Sequence, residues 1–130
     1  MDDKFYVLIA GGRDFTNYEV LKKTVNEELK DNKLPVTLIS GAARGADSLG
    51  EKWAKEYGHE IVQYKPEWDT YGNSAGPIRN NEMFNFIKDK LNKKIIIFWD
   101  GQSRGTMYMI KISTIGQIPI SIYNYNGELM

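Results

Sequence analysis

The chain contains no cysteine, a single histidine and no excess of either charge. Without cysteine, disulfides, thiolate metal sites and cysteine nucleophiles are excluded together, and the composition fits a reducing compartment. The one histidine, His59, falls between a predicted helix and a predicted strand, at the end of the sheet opposite the expected site. No Ser/His/Asp triad can therefore be assembled. Seventeen acidic residues cancel seventeen basic ones, which leaves no global field for nucleic acid or an anionic membrane. No basic stripe marks a nucleic-acid surface. Long hydrophobic runs are missing too. The N-terminal apolar stretch, residues 5–10, is too short for a signal core or a membrane span, and aspartates precede it where a signal peptide wants positive charge. A cytoplasmic location with no membrane contact is expected. Neither G-x-x-x-x-G-K-[ST] nor G-x-G-x-x-G occurs, so an ordinary phosphate-loop NTPase or dinucleotide oxidoreductase is not expected. Repeats, linkers and metal-ligand spacings are absent, and 130 residues suit one domain spanning 1–130.

What is present alternates between short apolar runs and stretches of helical period. Residues 5–10 (FYVLIA), 36–40 (VTLIS), 60–64 (EIVQY), 94–99 (KIIIFW) and 118–122 (IPISI) read as strands. Three of them are nearly continuous hydrophobic runs, as in a parallel sheet covered on both faces. Pro119 places the last at a sheet edge. Four helices fit between. The first opens with a capping box, Thr16 and Glu19, and buries Leu21, Val25 and Leu29. The second starts near Arg44, turns Ala46, Leu49, Trp53 and Tyr57 inward, and stops at Gly58. The third opens at Gly76-Pro77 and buries Ile78, Phe84, Ile87 and Leu91. The fourth runs from about Ser103 to Ile115 and ends at Gly116. The order βαβαβαβαβ predicts an α/β fold: a Rossmann-like three-layer sandwich on a mostly parallel five-stranded sheet, order 3-2-1-4-5. Residues 65–75, KPEWDTYGNSA, form the one long loop, a candidate lid.

In open parallel sheets, ligands bind beyond the carboxyl ends of the strands. The segments there are 11–15, 40–47, 71–80 and 100–106. The chain has four arginines, Arg13, Arg44, Arg79 and Arg104, and each falls in a different one of these segments, while all thirteen lysines lie outside them. Guanidinium offers planar, bidentate recognition of phosphate or carboxylate, which lysine does not. The plainer reading is that these arginines pair with Asp14, Asp47 and Asp100. Glycines accompany them at Gly11, Gly12, Gly41, Gly45, Gly76, Gly101 and Gly105, where the backbone can approach a ligand and present N–H groups. Asp47 and Glu51, at i and i+4, share a helix face. They could serve as base and ligand anchor, or pair with Arg44 and Lys55. Asp14 and Asp100 follow strands one and four, where carboxylates often meet ribose hydroxyls. Trp68, Tyr71 and Trp99 could stack on a base or pack in core and lid.

The runs LIAGGRDF (8–15) and SGAARGAD (40–47), the latter with Gly50-Glu51 and Trp53-Ala54, resemble the YspA-like branch of the SLOG superfamily. That superfamily also holds the DprA/SMF proteins and the LOG phosphoribohydrolases. The likeness continues through Trp68-Asp69, Tyr71-Gly72, AGPIRN (75–80), FWDG (98–101) and SRGT (103–106). It implies a Rossmann-like sheet that binds nucleotides or nucleotide-derived ligands such as NAD or ADP-ribose derivatives; some relatives cleave N-glycosidic bonds. Two departures stand out. Ala42 replaces a glycine frequent in the family, and Met107, Tyr108 and Met109 follow Thr106 where LOG hydrolases carry glutamates. The expectation is thus a binding module for a small phosphorylated nucleotide-type ligand, acting as sensor or sequestering protein, with no cofactor or metal required. Arg13, Arg44, Arg79 and Arg104 would hold phosphates together with the glycine turns. Ser40, Asn80, Ser103 and Thr106 would complete the hydrogen bonds, and Asp14, Asp47 or Asp100 would meet ribose. The alternative is an N-glycosidic hydrolase or transferase using Glu51 or Asp47; a third is an interaction subunit with a vestigial crevice. Nucleic acid is not expected as a partner, and the resemblance leaves a homo-oligomer open.

Overall fold

The computed structural model describes residues 3–130. Five parallel strands, β1 (Phe5–Gly11), β2 (Val36–Ser40), β3 (Glu60–Gln63), β4 (Lys93–Phe98) and β5 (Ile120–Tyr123), form one sheet in the order β3-β2-β1-β4-β5. Helices α1 (Tyr18–Glu28), α2 (Ala46–Glu56), α3 (Trp68–Tyr71), α4 (Ala75–Ile87) and α5 (Arg104–Ile115) connect them. This is the Rossmann-like α/β arrangement expected from the alternation of runs.

The two-residue period of the strands divides the core. Val7 and Ile9 of β1, with Ile96 and Phe98 of β4, join Leu21, Val25 and Trp53 on the face covered by α1 and α2. Leu8 and Ala10, with Ile95 and Ile97, join Met83, Ile87 and Met109 on the face covered by α4 and α5. Burying each of the larger side chains stabilises the fold by about 1.5–3 kcal/mol. Both central strands therefore have to be apolar at successive positions, which is why they read as unbroken runs. Pro119 lies just before β5; its carbonyl accepts from Ile95 N at 2.9 Å while its missing N–H costs no ladder bond at the edge.

Several local expectations change. No Thr16–Glu19 box forms: Asn17 caps α1, its Oδ1 accepting from Val20 N at 3.2 Å. Helix α2 starts at Ala46, because Gly45 (φ +74°) holds a left-handed turn that the helix cannot contain. Tyr57 is exposed at its end, and Leu29 is only half-buried. On α4 the buried stripe is Ala75, Arg79, Met83 and Ile87, a single i+4 ridge, with Asn80 beside it. Ile78 and Phe84 flank it half-buried, and Leu91 lies past the helix, 75% exposed. Gly116 ends α5 with φ −76°; the left-handed residue is Gln117 (φ +59°), and Gly116 instead makes room for the Phe84 ring. Residues 65–75 are not a bare loop: they hold α3, a 3₁₀ turn over Gly72–Ser74 and the first residue of α4.

Candidate functional site

The chain leaves β1 toward α1 on one face and β4 toward α5 on the other, so the sheet opens between their carboxyl ends. A crevice of about 870 Å³ lies there, and all four arginines line it. They do so in two ways.

Arg79 belongs to the wall. It sits on the core-facing ridge of α4, where its Nε donates to Asn80 Oδ1 at 2.8 Å and its Nη1 donates to the Gly41 carbonyl. Asp47 Oδ2 lies 4.0 Å from Nη1, and the two side chains are 9% and 7% exposed. Gly41 is required by this approach: a Cβ there would come within 2.5 Å of Nη1 and 2.9 Å of Asp47 Oδ2. Burial pushes the Asp47 carboxyl up to about 6 against the opposing pull of Arg79 and of the Ala43 N–H, which donates to Oδ2 at 3.2 Å. Glu51 adds to the rise and Arg13 opposes it. Burial likewise lowers Arg79 from the usual arginine value, partly offset by Asp47.

Arg13, Arg44 and Arg104 form the rim. All three are exposed, and among the described residues none has a carboxylate within 4.0 Å; Arg79 is the one arginine in an ion pair. Arg13 lies over the Trp68 ring, 5.8 Å from its centroid. The turns that carry Arg13 and Arg44 interlock. Ala46 N donates to the Gly12 carbonyl at 3.1 Å, and any side chain at Gly45 would collide with that same carbonyl.

Of the remaining residues singled out from sequence, Gly11, Gly12, Asp14, Asp47, Gly76, Asn80, Ser103, Gly105 and Thr106 also line the crevice. Asp14 does so with one oxygen already accepting from Tyr125 Oη. Ser103 caps α5, its Oγ accepting from Thr106 N at 3.5 Å and from Thr106 Oγ1 at 3.1 Å. Ser40, Gly41, Gly45, Glu51, Asp100 and Gly101 lie outside the lining. Each has a turn-building or packing role instead. Asp100 Oδ1 accepts from Gln102 N and Ser103 N, both at 2.8 Å, which holds its carboxyl below the usual range and braces the turn into α5. Ser40 Oγ donates to Glu51 Oε2 at 2.6 Å, and Gln63 Nε2 donates to Glu51 Oε1 at 2.8 Å. Neither Asp47 nor Glu51 pairs with Arg44 or Lys55.

Sequence reasoning missed Asn73, Pro77, Tyr108 and the apolar wall of Ala10, Met83 and Met109. Tyr108 was within reach, since it stands four residues after Arg104 and hence on the same helical face; its hydroxyl accepts from Asn81 Nδ2 at 2.7 Å. Trp68 lines the crevice, whereas Tyr71 does not and Trp99 is tied by its indole N–H to the Ser103 carbonyl at 3.1 Å. Among the described residues no group of acidic or histidine side chains has metal-site geometry, and no helix is long and apolar enough to cross a membrane.

An open parallel sheet with an arginine-lined crevice at its switch point defines a Rossmann-like α/β protein. Its family is equally plain: the model of the YspA, cpYpsA-related SLOG family (YAcAr) matches residues 5–71, and the chain belongs to that family. The match covers the Arg13 and Arg44 turns and runs as far as α3. Membership ties the chain to nucleotide-related binding or processing. Gene 61 protein of Mycobacterium phage D29 is 27% identical over 119 residues, which is 88% of this chain and 92% of that protein. No solved structure matches.

Proposed function

We propose that the protein binds a nucleotide-derived phosphorylated ligand of the NAD or ADP-ribose type in this crevice, as a sensor or sequestering protein, without turnover and without a cofactor. The observation that carries the reading is that all four arginines line one crevice, three of them with no carboxylate within 4.0 Å. No lysine or glutamate joins them in the lining, and the two aspartates, Asp14 and Asp47, leave an excess of two positive charges. A pyrophosphate diester carries two negative charges and offers the planar oxygen pairs that guanidinium recognises. The cavity volume lies in the range of small-molecule sites, and its apolar wall suits the less polar parts of such a ligand. Charge balance over the whole chain speaks for a small anion rather than nucleic acid. Calorimetric titration with ADP-ribose, NAD, cyclic nucleotides and nucleoside phosphates tests this: at least one should bind, and silence across the panel would remove the reading.

A second reading, hydrolysis or transfer at an N-glycosidic bond, is favoured by Asp47 alone. It is a buried carboxyl in the crevice wall with its pKa raised to about 6, suited to general acid–base work near neutrality. Glu51, bound to Ser40 and Gln63 outside the lining, is poorly placed for it. Chromatographic detection of released base, lost in Asp47→Asn and kept in Glu51→Gln, would support this reading; absence of turnover at high protein concentration would end it.

A further inference from the structure

The three tryptophans of this chain are used differently. Trp53 is 2% exposed and donates its indole N–H to Asn26 Oδ1 at 2.9 Å, and Trp99 donates to the Ser103 carbonyl. Trp68 is 46% exposed, lines the crevice, and its N–H has no partner among the described residues. It sits on α3, a helix of four residues that buries none of them. Nothing in core packing accounts for a large aromatic there. What lies over its ring is the Arg13 guanidinium, at 5.8 Å, a planar cation held at cation–π distance by no carboxylate.

A half-exposed indole with a free donor, beside unpaired guanidinium groups, is the arrangement that accepts a planar heteroaromatic ring joined to an anion. Resting on the nucleotide-type reading of the crevice, we propose that Trp68 is the platform for the ligand's base. The base stacks on the indole face while Arg13 leaves the ring for the phosphates, so one residue pair reads both halves of the ligand. Phosphate-only ligands then use the arginines alone.

Titration of the full chain with ADP-ribose, and with pyrophosphate as a probe that lacks a base, separates the two halves. ADP-ribose should quench tryptophan emission, a signal assignable to Trp68 because Trp53 is buried and Trp99 is bonded inward. Pyrophosphate, which draws Arg13 off the ring but brings no base, should change the emission less than ADP-ribose does. Trp68→Ala should weaken ADP-ribose about 5- to 150-fold, the usual range for losing one stacked base, and should leave pyrophosphate affinity alone; Trp68→Phe should recover most of the loss. Because no residue of α3 is fully buried and Trp68 joins neither core cluster, both variants should keep the fold, which a melting curve checks. An unchanged ADP-ribose affinity in Trp68→Ala, or an equal loss for both probes, overturns the platform while leaving the nucleotide reading standing. A parent protein that binds pyrophosphate but not ADP-ribose, or neither probe, also overturns the platform, whereas the nucleotide reading falls only with silence across the whole ligand panel.

Discussion

Arg79 and Arg44 line the same crevice with the same side chain, yet the protein holds them in opposite ways. Arg79 is buried on the ridge of α4 and held by Asn80, the Gly41 carbonyl and Asp47; Arg44 stands in solvent at the mouth of a turn with no acidic partner. A buried guanidinium is oriented before the ligand arrives, so little ordering is left to do, but its position is bound up with the stability of the fold. An exposed one contributes nothing to folding and is free to follow the ligand. The crevice thus combines a fixed wall with an adaptable rim, and the two should answer differently to the same substitution.

The largest effect expected is on stability. Arg79→Ala leaves Asp47 buried without its counter-charge, a change that typically costs about 3–5 kcal/mol, whereas Arg44→Ala should stay within about 0.5 kcal/mol of the parent. Denaturant unfolding measures both. The Arg79 deficit should shrink in acid, since Asp47, already raised to about 6, then protonates and no longer needs a partner. Equal stability of the two variants would abolish the distinction between wall and rim.

Binding reverses the emphasis. Arg44→Ala and Arg104→Ala, which should fold normally, should each weaken ADP-ribose by about ten- to a hundredfold, the scale of one lost charge-assisted hydrogen bond. Because these groups are exposed, the loss should narrow as salt is added and screening grows. Calorimetry at low and high ionic strength would find a salt-independent loss if the rim were in truth desolvated.

A third difference is carried by protons. The groups facing Asp47 are Arg79 from α4, Arg13 from the first turn, Glu51 on its own helix and the Ala43 N–H. Its pKa is raised on folding, so the folded state holds the proton more tightly than the unfolded chain. The contribution of Asp47 to stability is therefore best in acid and is lost as pH rises from about 4 to about 6. Protonation also removes a negative charge beside Arg79 and Arg13. Affinity for ADP-ribose, whose pyrophosphate diester gains no proton in this range, should accordingly tighten several-fold as pH falls through about 6. Asp47→Asn should flatten that profile; a variant that keeps the parent's pH dependence would assign the effect elsewhere.

How much of this was legible in the sequence follows the same division. β1 and β4 are buried on both faces, so their identity survives any error of register, and the strand order is the one expected of a Rossmann-like βα alternation. The rim arginines were legible because turn position alone places them. The wall was not. On α4, Arg79 and Asn80 occupy the buried face, so reading the apolar residues alone selected Ile78, Phe84 and Leu91 and rotated the helix away from its true ridge through Met83. α3 was hidden for another reason: four residues are too few to show a period, and none of WDTY is fully buried. Asp100, Gly101, Ser40 and Gly45 fall in the expected segments but outside the crevice lining, because segment position does not reveal which atoms of a turn face the opening.

The smallest effect lies where wall and rim meet. Ala42 follows Gly41, whose carbonyl Arg79 holds, and precedes the Ala43-Arg44 pair that reaches the rim; it sits at φ +59°, the left-handed region that costs an L-residue about 1–2 kcal/mol. Its N–H donates to Ser40 Oγ at 3.1 Å, so the turn is pinned from both sides and the strain is not relieved locally. Glycine at this position removes the strain but adds freedom to the unfolded chain worth about 0.4–1 kcal/mol. Ala42→Gly should therefore stabilise the protein by about 0.5–1 kcal/mol, seen as a higher unfolding midpoint with an unchanged denaturant slope. The decisive comparison is with ligand binding in the same variant. If the hydrogen bonds of Gly41 and Ser40 hold the turn, ADP-ribose affinity stays level while stability rises. If affinity falls instead, the strained alanine is what keeps Arg44 aimed at the crevice, and the rim is less free than its exposure implies.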